Sequence, residues 1–66
     1  MSRTNRKRVR HVLKVVHKTT GDVPYLLYGD LWDDGEPTPS FKAANHSLEE
    51  ARRVLGNEYE LRVEKA

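Results

Sequence analysis

Apolar and polar positions divide the chain into segments of different period. From Arg8 to Thr19 the apolar residues Val9, Val12, Leu13, Val15 and Val16 are mostly β-branched, and the stretch reads as a strand. Thr19-Thr20-Gly21-Asp22 then supplies turn chemistry, with Gly21 free to take a positive φ. Residues 24–33 form a second strand rich in aromatic and aliphatic side chains. Pro24 fits its first position, where a missing N–H costs least, and Gly29 marks the place for a bulge. The two strands predict a β-hairpin. Asp33-Asp34-Gly35-Glu36 is a second turn, followed from Pro37 to Ala44 by a poor edge strand or an extended loop, with Phe41 turned into the core.

The period then changes. Ser47 is placed as an N-cap with Glu50 three residues on, a capping box, and Leu48, Ala51 and Leu55 fall on one helical face with Val54 at its margin. Arg52 and Arg53 suit the C-terminal end of the dipole, and Gly56 ends a helix of about nine residues. From Tyr59 to Glu64 the pattern alternates: Tyr59, Leu61 and Val63 point one way, Glu60, Arg62 and Glu64 the other, as in a half-exposed strand. The order β-β-(β)-α-β predicts a small α+β domain over residues 8–66, an antiparallel-rich sheet with one helix on one face. If the last strand docks beside the first, the arrangement is a split β-α-β. Residues 1–7 are polar, basic and aperiodic, and are expected to be a disordered arm.

The hairpin register decides which side chains the helix covers. With Lys18 opposite Val23, Val9, His11, Leu13, Val15 and His17 share a face with Leu26, Tyr28, Asp30 and Trp32, and this face is the better core. The other face then leaves Val12, Val16, Tyr25, Leu27 and Leu31 partly exposed among Arg10, Lys14 and Lys18. A one-residue slip swaps the faces and moves Tyr28 and Trp32 to the basic side.

Charge sharpens this picture. The net charge is only +2, but the basic side chains Arg3, Arg6, Lys7, Arg8, Arg10, Lys14 and Lys18 crowd the first 20 residues, where no acidic one occurs. Asp22, Asp30, Asp33, Asp34 and Glu36 make the next 20 acidic. Such blocks speak to partners and solubility rather than to fold. The arm (Arg3, Arg6, Lys7, Arg8) and the face (Arg10, Lys14, Lys18) could follow a phosphate backbone while Tyr25 stacks on a base, which makes a nucleic-acid-binding module the leading expectation. The alternative is a small regulatory or inhibitory protein, phage or bacterial, that meets another protein through Val12, Val16, Leu27 and Leu31 or through the acidic loop. A homodimer closed on that apolar face fits both.

Other chemistry finds little support in the residues. There is no cysteine, so disulfides and thiolate metal sites are excluded. His11, His17 and His46 lack zinc-type spacing, and His11 is expected to pair with Asp30 across the hairpin. Asp30, Asp34 and Gly35 loosely resemble a calcium loop, but Trp32 and Phe41 stand where ligands belong. No nucleophile elbow or phosphate-cradling glycine loop is present, so neither an enzyme nor a cofactor is expected, nor a small-molecule substrate. No apolar run reaches the roughly 18 residues of a membrane span and no signal-peptide core follows the basic start, so a cytoplasmic protein is expected. The strands, the Asp-Gly turn, Phe41 and the helix from Ser47 to Leu55 are similar in layout to the small three-strand-plus-helix domains that bind arm sites ahead of tyrosine recombinases. Over about half the chain, that resemblance implies DNA contact through the sheet.

Overall fold

The computed structural model describes residues 6–66. Among them the chain forms β1 (Arg8–His17), β2 (Tyr25–Trp32), α1 (Pro39–Leu55) and β3 (Tyr59–Lys65). The strands make one sheet in the order β2-β1-β3, with β1 antiparallel to both neighbours. This is an α+β fold with the helix packed on one face, and the last strand lies beside the first, as the split β-α-β reading required. The optional strand between residues 37 and 44 does not form: Pro37 makes a single bridge to Leu31 and the helix follows at once. No helix among the described residues is long and apolar enough to cross a membrane.

The register differs from the expected one by one residue. Arg10 lies opposite Asp30, Val12 opposite Tyr28 and Lys14 opposite Leu26, so even positions of β1 share a face with even positions of β2. Local chemistry at the turn accounts for the slip. His17 Nδ1 accepts the backbone N–H groups of Thr19 and Thr20, both at 3.1 Å, and Gly21, at φ +82°, donates to the His17 carbonyl. The turn therefore takes up one more residue than a tight hairpin would. A consequence is that His11 faces Gly29 rather than Asp30; the expected ion pair is absent, and His11 Nδ1 donates instead to the Val9 carbonyl at 2.9 Å.

The core sits between the helix and the odd-numbered face. Leu13 and Val15 are fully buried against Ala44 and Leu48, and Phe41, Leu55, Tyr59 and Leu61 close round them. Burying one such aliphatic side chain stabilises the fold by roughly 1.5–3 kcal/mol, so these few residues carry much of a small domain. On the helix the inward residues Phe41, Ala44, Leu48, Ala51 and Leu55 fall at a period of 3.6, which extends the apolar stripe well upstream of Ser47. Ser47 is thus an exposed residue inside the helix and not its N-cap, and the helix has 17 residues rather than about nine.

Thr38 is the N-cap. Its hydroxyl accepts from Phe41 N at 3.3 Å and donates to the Asp30 carbonyl at 2.6 Å, with Pro39 at the first helical position. One buried side chain both caps the helix and ties it to β2. The same segment covers the far half of the β2 edge: Thr38 N donates to Asp30 O, Asp30 N to Ser40 Oγ, and Trp32 N to Glu36 O. Gly29 marks no bulge, since the ladder runs through it unbroken. It is there because the helix backbone comes close: a Cβ at this position would lie 2.6 Å from Phe41 Cα. At the other end Gly56, with φ +104°, donates to the Arg52 carbonyl and closes the helix as expected.

Candidate nucleic-acid interface

The helix leaves the even-numbered face of the sheet open. Across it run Arg8, Arg10, Val12, Lys14 and Val16 from β1, flanked by Leu26, Tyr28, Asp30 and Trp32 on one side and Glu60, Arg62 and Glu64 on the other. Of the residues expected at an interface, Arg8, Arg10, Val12 and Lys14 are therefore brought together. Val16 lies on the same face but is only 3 % exposed, so it supports the surface without forming it. Tyr25, Leu27 and Leu31 are corrected to the helix side of the sheet by the register slip, although Tyr25 and Leu27 remain exposed near its edge. Lys18 is in the turn and its backbone bonds to Glu58, away from the open face. Arg3, with the arm up to residue 5, lies outside the described residues.

Sequence reasoning placed Tyr28 and Trp32 here only as the outcome of a slipped register, and did not anticipate what they do. The Arg10 guanidinium lies over the Tyr28 ring, 5.0 Å from its centroid, and the Arg6 guanidinium over Trp32 at 4.6 Å. An arginine held over an aromatic ring has fewer rotamers to give up on binding an anion, and its N–H groups not turned to the ring stay free to donate. Asp30 stands across the ladder from Arg10, yet its backbone is committed to Thr38 and its carboxylate forms no ion pair with Arg10.

The other cations of this surface are partly neutralised. Lys14 Nζ is 2.9 Å from Glu64 Oε1, and Arg62 pairs with Glu60 on the same strand. Arg6 also reaches Asp34 at 3.4 Å and Glu36 at 3.9 Å. The Lys7 N–H donates to the Asp33 carboxylate, and the Asp33 N–H donates to the Lys7 carbonyl. The acidic turn thus holds the start of the basic segment against the end of the sheet. Among the described residues of the open face, the positive charge left without an ion-pair partner lies on the β1–β2 half, at Arg8 and Arg10, while Arg6 is held by the acidic turn and the β3 half is balanced.

A hollow of about 250 Å³ opens at the end of the sheet beside the Asp33–Gly35 turn, with Val9, Leu31 and Trp32 as its apolar walls. Its polar lining, His11, Asp33 and Lys65, forms no hydrogen bond or ion pair among its own members.

Comparison with protein-family models, with curated proteins and with solved structures finds no match to this chain. The similarity to arm-site-binding domains accordingly rests on the layout of three strands and a helix alone.

Proposed function

We propose that this chain is a non-enzymatic module that binds the phosphate backbone of nucleic acid with the β1–β2 half of its open sheet face. The observation that carries the reading is the Arg10–Tyr28 stack beside Arg8 and the Arg6–Trp32 stack, on a face that no part of the described chain covers. Arginines fixed on rings suit bidentate contact with phosphate oxygens, and the half-exposed Tyr28 adds a surface on which a base can lie. Lys14 would join by exchanging Glu64 for phosphate. The acidic turn serves to position Arg6. The competing view, a protein-interaction face built on Leu27 and Leu31, is less well supported because those side chains belong to the helix side.

The test is anisotropy titration of labelled single- and double-stranded DNA and RNA over a range of salt. Replacing both Arg8 and Arg10 by alanine is expected to weaken binding about equally for all sequences of the preferred probe. It should also flatten the plot of log K against log salt by about 1.4 units on single strands or 1.8 on duplex, as for two lost phosphate contacts. An unchanged slope, or no wild-type binding at physiological salt, overturns the proposal.

A further inference from the structure

The two outer edges of the sheet are built differently. β3 carries Glu60, Arg62, Glu64 and Lys65, the charged side chains that keep an edge from pairing with another chain. β2 has no such protection over its first half. Tyr25, Leu26, Leu27 and Tyr28 are all 40–51 % exposed, and no charge occurs between Asp22 and Asp30.

Backbone alternation shows which groups face outward. Asp30 and Trp32 direct their N–H and C=O away from β1, where Thr38 and Ser40 satisfy Asp30, and Gly35 and Glu36 satisfy Trp32. Two and four residues earlier on the same strand, Tyr28 and Leu26 must point the same way. Among the described residues nothing bonds to their outward N–H and C=O groups. The bare edge is therefore short, with Pro24, which has no N–H, at one end and the Thr38–Ser40 cover at the other.

We infer that this edge pairs with the same edge of a second copy of the chain. A two-fold axis normal to the sheet and passing beside Leu27 sets Leu26 opposite Tyr28 of the partner subunit, and the reverse. Each of these pairs exchanges two hydrogen bonds, so all four outward N–H and C=O groups on each edge are used. The axis keeps helices on one side and open faces on the other, and gives one six-stranded sheet from two of three. A longer extended peptide would run into the Thr38–Ser40 cover beyond Tyr28. This chain's own β2 begins only at Tyr25, after the bend at Pro24, and so stops short of the point opposite that cover. The absence of charge on the edge also means that a copy of a chain with net charge +2 meets no repulsion there. The inference does not depend on nucleic-acid binding.

The chain has no cysteine, so a single introduced one gives an unambiguous readout. Directly opposite residues of a non-hydrogen-bonded antiparallel pair have Cα atoms about 4.5 Å apart, within the range a disulfide spans. Under mild oxidation Leu27→Cys is expected to form a covalent dimer, while Val54→Cys, on the exposed outer face of the helix, stays largely monomeric. By sedimentation, the 7.7 kDa wild-type chain should weigh about twice that at roughly 100 µM. Leu26→Pro removes only an outward N–H and should raise the dissociation constant roughly tenfold or more with the far-ultraviolet dichroism unchanged. A wild-type monomer at that concentration overturns the inference, as does a dimer that Leu26→Pro leaves intact or that Val54→Cys crosslinks as readily as Leu27→Cys.

Discussion

Replacing Leu13 with alanine is expected to unfold most of the chain at 25 °C. Leu13 is fully buried at the centre of the middle strand, paired with Leu27 on one side and Val63 on the other, and roofed by Ala44 and Leu48. Leucine-to-alanine changes at such sites cost about 2.7–5 kcal/mol, the lower end if the cavity collapses. A domain of 66 residues without disulfides holds only about 3–5 kcal/mol in total. The side chain removed and the stability available are thus of the same size. Val12 is the control: it is next in sequence but on the open face, and Val12→Ala should cost well under half as much. Thermal unfolding followed by circular dichroism checks both, with about 4–8 °C per kcal/mol for a domain of this size. A Leu13→Ala midpoint within about 5 °C of wild type would show that the core lies elsewhere.

The second large effect is expected at Gly29. Its backbone is ordinary strand, so conformational freedom is not why glycine stands there. An added methyl would meet the Phe41 Cα at 2.6 Å and its N at 3.1 Å. These are main-chain atoms at the start of α1, held down by Thr38 on Asp30. The helix must shift to admit a methyl, and the cap resists the shift. Overpacking of this kind costs about 1–3 kcal/mol, so Gly29→Ala should lower the midpoint by roughly 5–20 °C. Because the clash is with backbone, trimming the side chain by Phe41→Ala should not rescue it. Recovery in the double variant would place the obstruction in the ring instead.

These two residues also show what could be read in advance. All three strands and the C-terminal half of the helix follow from composition, period and punctuation, because each is an apolar-rich run with a turn or cap at its end. The register did not follow, because β1 is apolar on both faces: Val12 and Val16 compete with Leu13 and Val15, and alternation cannot choose between them. The deciding terms are tertiary or local to one atom, namely the close approach of α1 at Gly29 and the turn built on His17 Nδ1. The helix start was misplaced for a different reason. Pro37 and Pro39 suggested interruption, whereas Thr38-Pro39 is an N-cap followed by proline at the first turn, and Ser47 with Glu50 imitates a cap inside a helix already under way. The candidate interface inherited the register error. Arg10 and Lys14 keep their place on the open face of β1, Lys18 moves into the turn, and the aromatic partners Tyr28 and Trp32 change sides with β2.

The middle position of β1 has a consequence in time. β2 is joined to β1 by a short loop and can pair early, but the other ladder joins His11 to Lys65, which waits for most of the chain to be in place. In the interval β1 presents an unpaired edge with Leu13 and Val15 beside it. Arg8, Arg10 and Lys14 occupy three of the alternate positions along that temporary edge, where charge discourages pairing with a neighbouring chain. The side chains proposed to meet a phosphate backbone in the finished domain serve as gatekeepers while it is being made.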